Sequence, residues 1–435
     1  MASHQDEIRP RRSLETLRMV MVEQLWDQPA IADIAGAVLR ELRCTGALAR
    51  ISSGDEIAIT AGSRGITSLP EVLRAIIAAV RQKGGRPFIF PAMGSHGGGT
   101  AEGQRQLLAG LGIDERTMGV PIRASMEVVQ LGQTDQGLPV YLDAVASRAA
   151  GIIIVNRVKK HTNYDGPTES GLCKMAVIGM GKHVQATLVH QYGNAGLRQH
   201  IPSVAEVVFA RARILAGLAI VENAWGGMAE LVGLSADQIL AQEPALLKRS
   251  KELGGKIPFP EIDIALVEQM GKEISGTGVD CYVIGRKRII GEPEWADVPH
   301  IRSLVVLDLT EASHGNAVGV GLADFTTRRL VDKIDWVATR TNVLTSGNLE
   351  RAKLPLVYDT DLEALEAAAF RERAVSLDML RLVCLPNTKY LRFLLVSEAL
   401  AEQARRHEDL EILGAPRELP FDADGNWVSP FSLRS

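Results

Sequence analysis

Short apolar runs alternate with amphipathic stretches along most of the chain, which is typical of an α/β protein. Apolar and β-branched residues cluster in short runs, which predict strands at 56–60, 87–90, 152–155 and 217–221. Apolar residues at helical spacing predict helices at 33–44, 69–83, 101–112, 200–213 and 235–253. The alternation of strand and helix predicts parallel β–α–β units in one sheet.

Three loops follow predicted strands, at 61–69, 92–100 and 156–173. Since parallel strands end at the same edge of a sheet, we expect these loops to meet there. In an open α/β sheet, ligands bind in the crevice beyond the carboxyl ends of the strands. The sequence therefore predicts a functional site at this edge.

Glycine and proline cluster at 254–263, between two periodic segments, and predict a domain boundary. We expect an N-terminal α/β domain over 1–258 that carries the cofactor site, a C-terminal α/β domain over 259–435, and an active site in the cleft between them. Residues 1–30 are predicted to form an irregular arm, and the polar last thirty residues are predicted to pack back on the first domain. The second domain is predicted to contain strands at 264–267 and 303–307 and helices at 319–331 and 361–371.

Composition excludes several classes of protein. Apolar runs are short and interrupted by charges, and the N-terminal residues lack an apolar signal segment, so we expect no membrane association. The 48 basic and 52 acidic residues are dispersed, which argues against a nucleic-acid partner. Four cysteines without a CxxC pair argue against structural zinc or a disulfide framework, and the chain is expected to be cytoplasmic. They are Cys44, Cys173, Cys281 and Cys384.

Two glycine-containing motifs invite a phosphate-binding interpretation. GSHGGGT, at 94–100, is compatible with a phosphate at a helix N-terminus, with a lipase-type oxyanion loop, or with an ordinary glycine turn. The lipase interpretation fails because the chain contains no G-x-S-x-G elbow. GMGKH, at 179–183, is not a Walker motif, because Ala176 and His183 occupy positions that require glycine and serine or threonine.

Lysines and histidines are concentrated after the strand at 152–155. Lys174 lies in an apolar run, so it is either a desolvated, nucleophilic amine or a lysine that extends to solvent from a helix edge. His161 ends a basic tripeptide, which is either a functional base or a solvated turn. His183 and His190 are seven residues apart, so each is either a lone metal ligand or a structural histidine, but not an i, i+4 metal pair.

Seven positions along the chain, taken together, resemble the nickel-pincer-nucleotide lactate racemase family. The resemblance covers about residues 50–280 and depends on the order and spacing of the residues rather than on any one of them. The matching residues are Arg64 in ITAGSR, His96 in MGSHGGG, His161 after a hydrophobic strand, Lys174, His190 sixteen positions later, and Gln269 and Lys272 in EQMGK.

The resemblance implies a racemase or epimerase of a 2-hydroxy acid, with cofactor-maturation enzymes as further partners. It implies a pyridinium mononucleotide bearing thioamide and thiocarboxylate groups that binds nickel. Lys174 would tether this nucleotide and His190 would be the nickel ligand, with His183 as the rival. His96 and His161 would act as the two bases. The anionic groups would be held by Arg64, Lys272 and Gln269, with Gly97, Gly98 and Gly99 near the phosphate.

The chemistry explains why such a cofactor is needed. Removing the Cα proton of a 2-hydroxy carboxylate would place a second negative charge beside the first. Transfer of the Cα hydrogen as hydride avoids this dianion, and because no side chain accepts a hydride, a cofactor must do so. Histidine suits the base on each face, because its ordinary pKa lies near neutral pH.

Three alternatives to this racemase assignment are compatible with parts of the sequence. The first is an epimerase of a larger hydroxy acid, which would use polar residues at 310–316 and 339–342. The second is a nucleotide- or metal-binding homologue that has lost turnover, because Ala61 replaces the acidic residue of the family's D-x-x-R pattern. The third, an NAD(P) dehydrogenase, is disfavoured because no GxGxxG follows a predicted strand.

Overall fold

The computed structural model describes residues 11–26, 28–63 and 65–431 of the chain. These residues form two compact units, which we describe separately. The central unit comprises Gln28–Gly254, and the terminal unit combines the described residues before position 27 with those from Gly255 onward. Both units contain strands and helices, and the predicted α/β class is confirmed.

Fifteen strands form the sheets of the described residues. They are β1 (Met19–Gln24), β2 (Glu56–Ala61), β3 (Arg86–Pro91), β4 (Val128–Gln133), β5 (Pro139–Asp143), β6 (Gly151–Arg157), β7 (Ile214–Glu222), β8 (Met228–Leu234), β9 (Glu261–Met270), β10 (His300–Leu309), β11 (Phe325–Thr327), β12 (Leu356–Tyr358), β13 (Leu382–Leu385), β14 (Phe393–Ser397) and β15 (Leu410–Arg417).

The helices vary from a single turn to five turns. They are α1 (Ile34–Cys44), α2 (Leu69–Gln82), α3 (Ala101–Gly110), α4 (Glu115–Met118), α5 (Leu172–Lys174), α6 (Lys182–His190), α7 (Gly193–Arg211), α8 (Ala236–Leu253), α9 (Arg328–Asp332), α10 (Trp336–Ser346), α11 (Asp361–Arg371) and α12 (Glu398–Ala404).

The central unit contains a five-stranded sheet with the order β3-β2-β6-β7-β8, in which only the edge strand β8 runs antiparallel. Alternate residues of β2 enter different cores, because successive side chains of a strand point to opposite faces. Ile57 and Ile59 pack with α1 and α2, whereas Ala58 packs on the other face with α7 and α8. A separate hairpin, β4–β5, contacts α6 and α7.

The terminal unit contains an eight-stranded sheet with the order β12-β11-β10-β9-β13-β14-β1-β15. The five strands from β12 to β13 are parallel, and β14, β1 and β15 pair antiparallel. The predicted irregular arm at 1–30 is therefore wrong for its described part, because β1 lies between β14 and β15. The apolar run at 19–22 is buried in this sheet. Near the end of the described chain, the Nε1–H of Trp427 donates to Glu268, which belongs to the same unit, at 2.5 Å.

The predicted helix at 319–331 is wrong over 319–327, and only 328–331 is α-helical, as the start of α9. Its apolar spacing is helical, but Gly319 has a φ of +109° and lies so close to Thr277 that an added Cβ would be 1.7 Å from the Thr277 carbonyl oxygen. Residues 325–327 instead form β11, which pairs with β10. Pairing with a neighbouring strand thus overrides the local period.

Among the described residues, no helix is both long enough and apolar enough to span a membrane.

Candidate functional site

The carboxyl ends of β2, β3, β6 and β7 lie at one edge of the central sheet, because these four strands are parallel. The predicted convergence of the three loops on one edge is confirmed for their described residues. A hydrogen bond anchors the third loop at the end of β6: the side-chain amide of Asn156 donates to the carbonyl oxygen of Gly171 at 2.8 Å. An added Cβ on Gly62, after β2, would lie 3.1 Å from the Met175 side chain.

The loop after β3 contains three successive glycines in the left-handed region, Gly97, Gly98 and Gly99, with φ of +65°, +67° and +65°. A side chain on Gly97 would collide with the backbone of α3, since its Cβ would lie 2.6 Å from the Gln104 nitrogen. Thr100 accepts a hydrogen bond from the N–H of Gly103 and so caps the start of α3. Glycine is thus required for the loop to lie directly against the start of α3.

His96 lies in this loop with its ring orientation fixed. Its Nδ1 lies 2.8 Å from the carbonyl oxygen of Met93. Because a carbonyl oxygen only accepts, Nδ1 must carry the proton. In the neutral ring, Nε2 then carries the lone pair and can accept a proton.

His161 lies in the loop after β6 with the opposite arrangement. The backbone N–H of Asn163 donates to Nδ1 of His161 at 3.1 Å, so Nδ1 is unprotonated and Nε2 carries the proton. The ring also packs 4.6 Å from the ring of buried Tyr164. In the neutral state, Nε2 of His96 can therefore accept a proton, whereas Nε2–H of His161 donates a hydrogen bond.

Buried Glu169 holds the His161 loop in place. Its carboxylate accepts the backbone N–H of His161 at 2.6 Å and lies 3.4 Å from the Lys251 ammonium. Burial raises the pKa of Glu169, whereas the hydrogen bond from His161 opposes this effect. Two backbone hydrogen bonds between Lys159 and Ser170, of 2.8 and 3.1 Å, close the base of the loop.

Lys174 lies on the segment that follows this loop, between buried Cys173 and Met175 but itself only half-buried. The segment begins as α5, continues as one π-helical turn over Met175–Gly179, and becomes α6 at Lys182. π-helical turns are often found at functional sites.

Glu243, on α8, caps the start of this segment. Its carboxylate accepts the backbone N–H of Cys173 at 2.9 Å, and it packs so tightly against Gly171 that an added Cβ would lie 2.5 Å away. The side chain is fully buried, and its second oxygen has no hydrogen-bond partner. Burial raises the pKa of Glu243 to about 7.

His190 ends α6, and its Nδ1 lies 2.6 Å from the carbonyl oxygen of Ala186. Nδ1 therefore carries the proton, and Nε2 is left as the nitrogen that could bind a metal. Partial desolvation lowers the pKa of His190, and the positive charge of Lys174 lowers it further. The two residues are thus electrostatically linked, although sixteen residues of straight α-helix would span about 24 Å.

The helical segment between Lys174 and His190 is broken at Lys182. Lys182 has a left-handed backbone with φ of +57°, which is unfavourable for a residue with a side chain. His183 follows this break, and an added Cβ on Gly99 would lie 3.9 Å from its Nδ1. His183 therefore lies beside the glycine loop, whereas His190 interacts with Lys174.

Three polar residues at this edge were not predicted: Lys182, Asp143 and Gln104. All three are fully buried, and the Lys182 ammonium lies 3.1 Å from the Asp143 carboxylate. The GMGKH motif drew attention to Lys182 only as part of a rejected phosphate loop. Its partners lie 39 and 78 positions away in the sequence, so no local pattern connects them.

The remaining predicted residues do not belong to the described part of the central unit. Arg64 falls outside the described residues. Gln269 and Lys272 belong to the terminal unit, at the carboxyl end of β9, where Gln269 is exposed. The ammonium of Lys272 donates to Asn342 at 2.8 Å, and its backbone N–H donates to Ser313 at 2.8 Å. Lys272 thus joins the two polar segments at 310–316 and 339–342.

Within the described residues, no group of three or more histidine, cysteine, aspartate and glutamate side chains is arranged to hold a metal ion. The resemblance requires only one protein ligand, so the fit to nickel depends on His190. Its hydrogen bond to a backbone carbonyl is the usual second contact of a metal-binding histidine.

No protein-family model matches the chain, and no curated protein matches it. The structure is similar to that of the lactate racemase apoprotein from Thermoanaerobacterium thermosaccharolyticum, with a TM-score of 0.49 and 13% sequence identity. The match covers 86% of this chain and 99% of that one. A likeness at this level does not establish a common family.

The opposite ring states of the two histidines can be tested by NMR. In protein with ¹⁵N-labelled histidine at about pH 8.5, where ordinary histidines are neutral, His96 should carry its proton on Nδ1 and His161 on Nε2. Long-range ¹H–¹⁵N spectra distinguish the two states, and His96→Gln and His161→Gln assign the signals. Protonation of the same nitrogen in both rings would contradict the interpretation.

Glu243 should make stability depend on pH. Folding raises its pKa from 4.5 to about 7, so the unfolded chain releases a proton that the folded chain retains, and stability falls as pH rises through this range. Glu243→Gln should therefore be more stable than the wild type by roughly 3 kcal/mol at pH 8 and by much less at pH 5. Urea unfolding at both pH values measures the difference.

Glu252→Gln provides a matched control, because Glu252 lies on the same helix but is about half exposed. Its effect on the free energy of unfolding should be small and should vary little between pH 5 and pH 8. If Glu243→Gln gave the same change at both pH values, the carboxyl would not be protonated in the folded protein at pH 5.

Proposed function

We propose that the protein is a racemase or epimerase of a 2-hydroxy acid. The observation that carries this proposal is the pair of histidines at one sheet edge, with His96 held as an acceptor and His161 as a donor. Racemisation needs these two capacities at once, because one group must remove the hydroxyl proton while another supplies one on the opposite face.

The spacing of the strands supports this pairing. His96 follows β3 and His161 follows β6, and β2 lies between them. Neighbouring strands are about 4.8 Å apart, so the two loops begin roughly 10 Å apart. This separation suits a small, flat oxo acid between two imidazole rings.

Each histidine has one defined part in the proposed reaction. Nε2 of His96 accepts the hydroxyl proton, and the hydrogen bond from Nδ1 to Met93 stabilises the ring as its charge becomes positive. To protonate the oxygen from the other face, His161 must first take up a second proton from solvent at Nδ1, in place of the hydrogen bond from Asn163. Nε2–H of this imidazolium then gives up its proton and leaves a neutral ring. For the other enantiomer, the two roles exchange.

The chain's residues fit a nickel-pincer nucleotide. Half-buried Lys174 provides an amine for the tether, and Nε2 of His190 is available in the ring state that a metal requires. A side chain on Gly98 would meet no atom within 4 Å, so the glycine loop leaves space for a phosphate. When bound, this cofactor supplies the hydride acceptor that side chains lack.

Anion recognition completes the proposal. We assign the substrate carboxylate and the cofactor's anionic groups to Arg64 and Lys272, with Gln269 assisting. Maturation enzymes that make and insert the nucleotide are the implied protein partners.

A larger hydroxy acid, with a second carboxylate or several hydroxyl groups, is the second candidate substrate. The observation that favours it is a polar cluster of Lys272, Asn316 and Asn342. The side-chain nitrogens of Lys272 and Asn316 donate to the amide oxygen of Asn342, at 2.8 and 3.3 Å. Such a cluster offers hydrogen bonds that a three-carbon acid would not use. Assays of loaded enzyme over acids of increasing size distinguish the candidates.

The cofactor assignment predicts a covalent adduct at Lys174. Protein co-expressed with the cofactor-making enzymes should carry nickel and a mass increase of a few hundred daltons that maps to this residue. Lys174→Ala should abolish the adduct and leave the fold intact, because its side chain is only half-buried. Intact mass, peptide mapping and metal analysis measure the outcome.

Controls come from the same unit. Lys248→Ala removes an exposed lysine and should leave the adduct unchanged. His190→Ala should lower the nickel content, whereas His183→Ala should retain it. If neither adduct nor nickel formed while a known racemase loaded normally in the same host, the cofactor assignment would be wrong.

The two-base assignment predicts the effect on turnover. In loaded enzyme, His96→Ala and His161→Ala should each lower kcat by roughly 10²- to 10⁴-fold, because each removes a general acid–base group. His407→Ala, at an exposed position of the terminal unit, is the control. Full turnover in both site variants would exclude the mechanism, and an adduct without turnover in the wild type would favour the binding homologue.

A further inference from the structure

We propose that Lys182 is a positioning residue that fixes the loop carrying His96 against the helix carrying His190. The catalytic meaning of this inference rests on the proposed function, but the contacts that support it do not. Lys182 belongs neither to the set of residues implied by the resemblance nor to any motif that the sequence supported.

The ammonium of Lys182 connects three elements. It donates to the carbonyl oxygen of Pro91, at the end of β3, at 2.5 Å, and to the side-chain oxygen of Gln104, on α3, at 3.2 Å. It also lies 3.1 Å from the carboxylate of Asp143, at the end of β5. The side chains of Lys182, Gln104 and Asp143 are completely buried, so water does not screen these contacts.

Gln104 extends the connection to His96. Its side-chain amide donates to the carbonyl oxygens of Gly94 and His96, at 2.9 and 3.2 Å. A buried amide that bonds both Lys182 and the His96 backbone transmits any movement of the ammonium to the loop. The position of the His96 ring therefore depends on Lys182.

Asp143 extends the connection to α6. Its second carboxylate oxygen accepts the N–H groups of Val145 and Ala146, which fixes the carboxylate. One turn along α6, buried Gln185 accepts the N–H of Tyr141, on β5, at 2.8 Å. The β4–β5 hairpin thus holds the start of α6 at two points.

The backbone of Lys182 indicates that its position is imposed by these contacts. A left-handed conformation is unfavourable for lysine, and burial lowers the pKa of its ammonium, an effect that Asp143 opposes. A glycine would form the same turn without strain, and an apolar side chain would fill the space without desolvating a charge. Neither could bond Pro91, Gln104 and Asp143 together.

Hydrogen–deuterium exchange of the intact chain without cofactor tests the connection. Lys182→Met keeps the length of the side chain but removes its charge. We expect amide exchange to accelerate about tenfold or more in 92–104 and 182–190, while β6 and β7 exchange as in the wild type. Unchanged exchange in both segments, or equal acceleration throughout the unit, would overturn the proposal.

Two further variants separate the contribution of the left-handed turn from that of the side-chain contacts. Lys182→Gly keeps the left-handed turn without the side chain and should behave like Lys182→Met; exchange like that of the wild type would show that the turn alone positions the segments. Gln104→Leu leaves the ion pair intact, so faster exchange should be limited to 92–100. This milder variant also decides the question if Lys182→Met does not fold, because unchanged exchange in 92–100 would exclude the connection.

Arg249→Met is the matched control, because it breaks a partly exposed ion pair with Glu230, of 2.7 Å, in the same unit. It should leave exchange in both segments unchanged. In loaded enzyme, Gln104→Leu should lower kcat by up to about a hundredfold with little change in KM, because misplacing His96 affects the reaction more than binding. If the wild type had no turnover, the proposed function would fail, while the exchange results would still decide the role of Lys182.

Discussion

Parallel pairing of four strands is the constraint on which the candidate site depends. It places the carboxyl ends of β2, β3, β6 and β7 at one edge of the central sheet. Residues that are far apart in the sequence, such as His96 and His161, thereby start from positions two strands apart. Polar contacts then adjust each loop: Gln104 and Lys182 hold one, and Glu169 holds the other.

The sequence predicted those features that depend on local periodicity and on the strand-connection rule. The strands that bear the site and the helices α1, α2, α3 and α8 agree with the structure, because each is specified by residues close together in the sequence. The meeting of the three loops followed from the parallel order. Serine is a favoured cap residue, but Ser68, before α2, has a left-handed φ of +61° and its side chain makes no capping bond.

The sequence could not predict features that require partners far along the chain. Glu243 caps the segment of Lys174 from 70 positions away, and Lys182 reaches Asp143 and Gln104 on other elements. The sequence around a buried lysine does not distinguish it from a solvated one, so its burial cannot be predicted until its partners are known. The ring states of His96 and His161 likewise depend on backbone groups whose positions are set only by the folded loops. The resemblance names the residues that the proposal assigns to the reaction, and the folded structure shows which contacts orient several of them.

The place of β1 has a consequence for how the chain matures during synthesis. Met19 pairs with Ser397, about 380 residues later, so β1 leaves the ribosome long before its partner exists. At roughly 5–20 residues per second, this delay is about 20 to 75 s. The central unit contains all of its own strands and can complete its sheet in that time, while apolar β1 remains an unpaired strand open to aggregation. Slower translation therefore lengthens the time for which this apolar strand is unpaired.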